Sequence, residues 1–189
     1  MEYASFLKQH IGSVVSLTED ELNTVAGFFV VRKVKKKEYL VKEGQEVKSE
    51  FLVVKGLLKA FLFDDNGHEY IVQFAMENWW VSDYAAYKNR GKGDLCVQAL
   101  EDCVVLELPA TAKQKMTDEL PKMHEFFWSK AFSGFVALQK RVISLMKNSA
   151  REKYELLLEQ YPALFQRVSK TMIAHYLGVG RETLSRLSR

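Results

Sequence analysis

At 189 residues the chain is long enough for one large domain or two small ones, and 48% hydrophobic with 27% charged residues is an ordinary globular composition. The net charge is a modest +3, no apolar run reaches the eighteen residues of a membrane span, and the N-terminus MEYASFLKQH lacks the pattern of a secretory signal. The sequence therefore predicts a cytoplasmic protein with no membrane partner. Its two cysteines, Cys96 and Cys103, are predicted to be reduced thiols buried in strands, with a redox pair as the alternative.

The first part of the chain changes from helix to strand near residue 29. Residues 3–28 have a helical pattern, and Ser16 to Glu19 (S-L-T-E) predicts the cap of a second helix. From Phe29 to Pro109, short apolar runs alternate with turns. Asn66-Gly67 is the strongest hairpin signal, because both residues accept positive φ. Several short strands separated by turns indicate a barrel or jelly-roll.

A basic run at residues 32–37 alternates with Val31 and Val34. A DNA-facing patch and the solvated face of an edge strand both fit this pattern. The edge strand is the favoured interpretation, because lysines on an edge protect it from pairing with other chains.

The longest predicted helix follows Pro121 and ends near Asn148. Its apolar residues recur at alternating steps of three and four, which makes an a/d seam of about three heptads. The seam predicts a two-fold dimer of two copies. A helix packed only on its own barrel is the alternative, and Phe127 and Phe132 are expected to make such a contact from the flanking face. The predicted seam consists of Trp128, Ala131, Phe135, Leu138, Val142 and Leu145.

The last 22 residues, 168–189 (VSKTMIAHYLGVGRETLSRLSR), predict two short helices around a tight corner. Ala174 lies on the apolar stripe of the first helix, Gly178 supplies a left-handed conformation at the corner, and Leu184 and Leu187 point inward from the second helix. This arrangement is a helix-turn-helix. The polar residues left on the outer side are Arg181, Glu182, Ser185, Arg186 and Arg189.

Positive charge is concentrated in this terminal segment. Five basic residues and one acid lie from Gln166 onward, so the rest of the chain carries 22 basic and 23 acidic residues. A local excess of positive charge is the electrostatic footprint of DNA binding. Arg167 is one of the five.

The order of barrel, long helix and terminal helix-turn-helix resembles the cyclic-AMP receptor protein/FNR (Crp/Fnr) family of bacterial transcription regulators over nearly the whole chain. The segment 178–186, G-V-G-R-E-T-L-S-R, resembles the family's recognition-helix entry G-x-S-R-E-T-V-x-R. The resemblance implies an α+β fold with an N-terminal β-roll, which is a double-stranded β-helix or jelly-roll. A cyclic-nucleotide-binding-like sensor domain would span 1–147, with its dimerisation helix at about 121–147. A helix-turn-helix domain would span 148–189 and lack the family's C-terminal strand pair, or wing.

The resemblance also implies which residues read DNA. Arginine can bind guanine bidentately and glutamate can accept from a cytosine amino group, while residues at the start of the first helix would hold phosphates. The expected partners are a near-palindromic duplex, a second copy of the chain and RNA polymerase. The predicted DNA-binding residues are Ser169, Lys170, Arg181, Glu182, Ser185 and Arg186.

The family's nucleotide-binding motif is altered in this sequence. Ser82-Asp83 stands where the family has Gly-Glu, and residues 93–96 replace its Arg-Ser/Thr-Ala, with the acidic Asp94 near the expected phosphate. Cyclic AMP is therefore not the predicted effector. The surrounding aromatic residues suit either an unknown apolar effector or a barrel filled by its own side chains. The candidate effector pocket is Ser82, Asp83, Tyr84 and Tyr87.

No cofactor, metal site or catalytic centre is predicted. The cysteine-rich N-terminal segment of the oxygen-sensing members is absent, and His68 is the one histidine in the predicted strands, whereas metal enzymes on barrels need clustered ligands. The predicted function is a dimeric, sequence-specific DNA-binding regulator that is not an enzyme. The alternative is a small-molecule-binding sensor whose helix-turn-helix mediates protein contact.

Overall fold

The computed structural model describes residues 3–187, which form two N-terminal helices, a two-sheet barrel, a long helix and four short terminal helices. None of the helices in these residues is long and apolar enough to cross a membrane. The strands are β1 (Val30–Val34), β2 (Tyr39–Val41), β3 (Ser49–Lys55), β4 (Leu58–Phe63), β5 (Glu69–Ala75), β6 (Trp80–Val81), β7 (Cys96–Ala99) and β8 (Cys103–Pro109). The helices are α1 (Ala4–Gly12), α2 (Glu19–Gly27), α3 (Tyr84–Asn89), α4 (Ala110–Glu119), α5 (Met123–Lys147), α6 (Ala150–Gln160), α7 (Leu164–Arg167), α8 (Lys170–Leu177) and α9 (Arg181–Leu187).

The strands form two antiparallel sheets, in the orders β1-β8-β3-β6 and β2-β7-β4-β5. An apolar core fills the space between them, and Val53, Leu58, Val97 and Val105 in it have no solvent exposure. The predicted α+β fold with an N-terminal β-roll is therefore confirmed. Arg32 and Lys33 of the basic run lie in β1, an edge strand that pairs with β8 alone, as the favoured interpretation expected. The rest of the run, residues 35–37, lies in the turn after β1.

Both predicted cysteine thiols are free, in agreement with the sequence. Cys103 is buried in β8, and burial raises the pKa of its thiol. Cys96 begins β7 and is partly buried.

The cap of helix α2 lies two residues beyond the predicted position. Thr18 and Glu21 form the capping box, in which the Thr18 hydroxyl accepts from the Glu21 N–H and the Glu21 carboxylate accepts from the Thr18 N–H. The tetrapeptide from Ser16 matches the same motif, so pattern alone does not choose between them. Starting at Thr18 places three acidic residues in the first turn, where the helix dipole favours negative charge.

The predicted hairpin between β4 and β5 is present, but its turn differs from the expected one. The loop spans residues 64–68, and Gly67 has positive φ (+78°) whereas Asn66 does not. The Asp64 carboxylate accepts from the N–H groups of Asn66 and His68, both at 2.9 Å. A side-chain acceptor therefore closes a longer loop than the two-residue turn that Asn-Gly suggests.

Helices cover the outer side of both sheets. The N-terminal helices, α4 and the start of α5 share a second apolar core with Leu52 and Leu106 of the first sheet, in which Phe126 is fully buried. The terminal helices share a third core with the second sheet, including Phe74 from β5 and Leu177 from α8. The barrel and the terminal helices are therefore packed on each other through a common apolar layer.

The turn between β3 and β4 allows a test of close packing within the barrel. Gly56 has a φ of +104°, and a Cβ at this position would lie 2.5 Å from Cys103 Sγ and 2.9 Å from Cys103 Cα. Gly56→Ala is expected to lower the free energy of unfolding by about 3 kcal/mol, because backbone strain and overlap add. Urea denaturation measures the loss. Gly44→Ala is the control, with a φ of +76° and open space around its Cβ, so an equal loss in both variants would contradict the steric explanation.

Candidate functional site

The two terminal helices α8 and α9 meet at Gly178, which adopts the predicted left-handed conformation (φ 64°, ψ 39°). Ser169 caps α8, its hydroxyl accepting from the Met172 N–H at 3.3 Å. Ala174 and Leu184, one from each helix, are almost completely buried where the helices pack. The small Ala174 side chain and the Gly178 corner allow this close approach.

The outer face of α9 carries the polar residues predicted to read DNA. Arg181, Glu182, Ser185 and Arg186 are all exposed, while Leu184 holds the helix from the other side. Ser169 and Lys170, predicted to hold phosphates, are also exposed at the start of α8. Arg189 lies outside the described residues. The structure thus brings six predicted residues onto the surface of one helix pair.

The predicted seam lies along the surface of α5. Trp128 is 67% exposed and Phe135 60% exposed, and the remaining seam residues are exposed as well. Phe132 stacks between these two rings and is half exposed, so the expectation that it packs on its own barrel was wrong. Phe127 does make that contact, together with the buried Met123 and Phe126, which the sequence prediction missed. A contiguous apolar strip of this size is typical of an interaction surface.

Arg141 attaches α5 to the rest of the molecule from a position beside the seam. Its guanidinium donates to the backbone carbonyls of Val72, of Ile71 at 3.0 Å and of Tyr176 at 2.8 Å, and it lies 3.7 Å from the centre of the Tyr176 ring. Burial lowers the pKa of Arg141. One side chain therefore joins α5, β5 and α8. Sequence reasoning missed it, because an isolated arginine in a helix looks like an ordinary solvated residue.

Arg167, at the end of α7, is held by two carboxylates of the barrel. It donates to both oxygens of Glu77 at 2.9 and 3.0 Å and to Glu101 at 2.6 Å. We call Arg167, Glu77 and Glu101 the Arg167 clamp. The charge count placed Arg167 in the positive footprint on DNA, and the structure pairs its charge with two acids of the barrel.

The segment from Ser82 to Leu95, which we call the cassette segment, corresponds to the altered nucleotide-binding motif. The Asp83 carboxylate is 2% exposed and caps α3 by accepting from the Ala86 N–H at 3.1 Å. It also accepts from the N–H groups of Asp94 at 2.8 Å and Leu95 at 3.0 Å. Backbone N–H groups converging on an anion are the usual donors of a phosphate site. Here a carboxylate of the protein itself takes them.

The other predicted pocket residues surround this turn. Ser82 is buried and its hydroxyl donates to the Ser49 carbonyl at 2.9 Å, Tyr87 packs against the barrel core, and Tyr84 is exposed. Two open depressions of about 390 and 200 Å³ lie on the barrel surface, the first between β1 and β2 and the second beside Val47 and Ser49. None of the four predicted pocket residues lines either depression.

Comparisons with known proteins agree with this architecture. Residues 31–119 match the sequence model of the cyclic nucleotide-binding domain. The regulatory protein HlyX of Actinobacillus pleuropneumoniae is 26% identical over 91% of this chain and 76% of its own length. The transcriptional activator protein Anr of Pseudomonas aeruginosa is 28% identical over 82% of this chain and 68% of its own length. A Crp/Fnr regulator structure from Eubacterium rectale has the same fold, with a TM-score of 0.69 and 17% identity over 90% of this chain and 82% of that one.

The chain belongs to the Crp/Fnr family of transcription regulators. Within this Crp/Fnr chain, residues 3–187 contain no cluster of three or more His, Cys, Asp or Glu side chains that could hold a metal ion. His68 lies at the hairpin turn with its ring largely in solvent, 3.2 Å from the Asp64 carboxylate. The cassette segment and the terminal helix pair are thus the two sites at which family-specific chemistry is expected.

Removing the Asp83 carboxylate tests whether it holds the cassette segment together. Asp83→Ala leaves three backbone N–H groups without their acceptor, so it is expected to lower the free energy of unfolding by about 3 kcal/mol. Asp94→Ala is the matched control, because its side chain is exposed and its backbone N–H is retained. Urea denaturation of the two variants should separate them clearly. Asp83→Ala with the stability of Asp94→Ala would show that the carboxylate does not hold this turn together.

Proposed function

We propose that this Crp/Fnr chain is a dimeric, sequence-specific DNA-binding transcription regulator that acts in the cytoplasm. The observation that carries the proposal is the outer face of α9, where Arg181, Glu182 and Arg186 are exposed together while Leu184 anchors the helix from behind. Relatives named as a regulatory protein and a transcriptional activator support the same function. RNA polymerase is then a further partner.

Each residue of this face has a role that its chemistry suits. Arg181 and Arg186 can donate two parallel hydrogen bonds to guanine, and Glu182 can accept from the amino group of cytosine. Ser169 and Lys170 stand at the start of α8, where N–H groups and the helix dipole favour phosphate. Base contacts would supply the specificity and phosphate contacts the register.

Dimerisation follows from the exposed strip on α5. Trp128, Phe135, Leu138 and Val142 are each at least half exposed in the single chain, and a second copy of the same helix would cover them in a two-fold seam. Two helix pairs related by this axis could enter successive major grooves, about 34 Å apart. The operator is therefore expected to be near-palindromic.

We also propose that cyclic AMP is not the effector. The family's nucleotide site needs a place for a phosphate, and the Asp83 carboxylate already accepts from the backbone donors of Ala86, Asp94 and Leu95. A second anion there would face a buried negative charge, which is costly. An effector, if one binds, is of another chemical class.

A second candidate is a sensor module whose helix-turn-helix mediates protein contact. Its support is that α8 already packs on the barrel of its own chain, with Tyr176 and Phe74 rings 5.1 Å apart. The dependence of binding on salt separates the two functions. Binding through several phosphates weakens steeply as salt rises, whereas an apolar protein contact does not.

The first test concerns base reading. Arg186→Ala is expected to weaken binding to a selected duplex by about tenfold or more, while binding to unrelated DNA changes little, because a bidentate base contact is worth about 1–3 kcal/mol. Gel-shift titrations at fixed salt measure both affinities. Arg151→Ala on α6 removes another exposed arginine as the control. Wild-type affinity in Arg186→Ala would rule out base reading by this helix.

The second test concerns the dimer. Phe135→Glu places a charge in the centre of the exposed strip and is expected to weaken self-association by about a hundredfold, because a buried interface cannot accept an unpaired carboxylate. Sedimentation velocity at several concentrations gives the oligomeric state. Ser133→Glu adds the same charge to an exposed position off the seam and should remain dimeric. An unchanged dimer in Phe135→Glu would place the interface elsewhere.

A further inference from the structure

The Arg167 clamp joins the terminal helices to the barrel at two separate turns. Glu77 lies between β5 and β6, and Glu101 lies between β7 and β8. Arg167 donates to both residues. Nη1 and Nη2 donate to Glu77, and Nη2 and Nε donate to Glu101. Its side chain is 22% exposed and each carboxylate is 39% exposed. The three charges are therefore shielded from solvent on one side.

The geometry of the clamp restrains orientation as well as distance. Guanidinium and carboxylate are planar, and two parallel hydrogen bonds align their planes, which a lysine at this position could not do. The hydrogen bonds that Arg167 donates to Glu77, and secondly to Glu101, raise its pKa. Partial burial alone would raise the pKa of Glu77, but hydrogen bonds from Arg167 and from backbone groups lower it overall. Both pKa shifts favour the charged forms of Arg167 and Glu77.

The clamp lies where it can set the direction of the reading helices. Only Val168 separates Arg167 from Ser169, the cap of α8, so the position of Arg167 defines where α8 starts. α9 packs on α6 and α8, so it follows α8 as a unit. Nearby, the Trp79 ring lies 5.1 Å from the Tyr161 ring, which supports the same junction with an apolar contact.

We infer that Arg167 is a positioning residue, which with Glu77 and Glu101 fixes the orientation of α8 and α9 on the barrel and so sets the separation of the two reading helices in the dimer. The inference rests on the proposed function, since separation matters only if both helices read one duplex. It assigns Arg167 no contact with DNA. The opposite assignment, a phosphate contact, makes different predictions for the two glutamates.

Variants on both sides of the clamp separate these roles. Arg167→Ala removes the clamp from one side, and Glu77→Gln combined with Glu101→Gln removes it from the other while keeping the side-chain oxygen that accepts from the Gly56 N–H. Positioning predicts that both proteins lose affinity for a palindromic duplex by about tenfold, because coupled groups act as a unit. A phosphate contact predicts a loss for Arg167→Ala but unchanged or tighter binding for the glutamine pair, which frees a positive charge. Arg151→Ala is the control.

Duplexes that differ in the spacing of their two half-sites provide the second measurement. A merely structural role of Arg167 would not change the preference for one spacing. Each protein is titrated with a half-site duplex and with palindromes whose central spacer is lengthened or shortened by one and two base pairs. Wild type should prefer one spacing. The clamp variants should bind the half-site as wild type does, yet discriminate between spacings several-fold less. A clamp variant that keeps wild-type affinity and spacing preference overturns the inference.

Hydrogen–deuterium exchange tests the clamp without DNA. Backbone amides of α8 should exchange faster in both clamp variants than in wild type or Arg151→Ala, while amides of β3 and β8 should be unchanged. Unchanged protection of α8 overturns the clamp even when DNA binding is altered. If Arg186→Ala binds the selected duplex as tightly as wild type, the proposed function is contradicted instead. The two failures are therefore distinguishable.

Discussion

The contact between helix α8 and strand β5 determines where the terminal helices lie. Phe74 of β5 and Leu177 of α8 belong to one apolar cluster, and burial of such surface supplies most of the attraction between packed elements. Apolar burial is not directional, so it holds α8 on the sheet without fixing its angle. Directional restraint comes from polar groups at the margin of the cluster. Arg141 donates to carbonyls on both elements, and Glu69, which pairs with the buried Lys59, lies 3.5 Å from His175 of α8.

The cassette segment is organised by a carboxylate of the protein itself, which accepts from backbone donors of the kind that hold a phosphate. The Asp83 carboxylate satisfies three backbone donors, and the space between the sheets is packed with side chains such as Val53 and Val97. An effector entering this region would have to displace both the internal anion and part of the core. Core packing resists such insertion, because added volume forces side chains off their rotamers. A ligand bound between the sheets would therefore have to offset the loss of this packing.

The sequence predicted those features that depend on local chemistry. Gly178 at the corner follows from a few neighbouring residues and is found where expected, and the periodic apolar residues on α5 lie along its exposed surface. The cap of α2 and the turn at Gly67 were recognised, but not their exact form. Thr18 caps α2 in place of Ser16, and the Asp64 side chain closes a longer loop in place of a two-residue turn. Contacts between distant segments were not predictable. Arg167 meets glutamates 66 and 90 residues away, and a charge count cannot separate such a residue from one that faces DNA.

The energetic scale of the clamp limits what it can do alone. An ion pair that is partly exposed contributes about 1 kcal/mol, or somewhat more when bidentate, whereas reversing a two-state population from 1:99 to 99:1 takes about 5.5 kcal/mol. The clamp can therefore restrain the angle of α8. It is too weak to switch the helix pair α8 and α9 between a state packed on the barrel and a state separated from it. A switch of that size would have to open the apolar layer beneath α8 as well. Glu77 and Glu101 flank the cassette segment in the chain, so the clamp connects the turns before and after that segment to the start of α8.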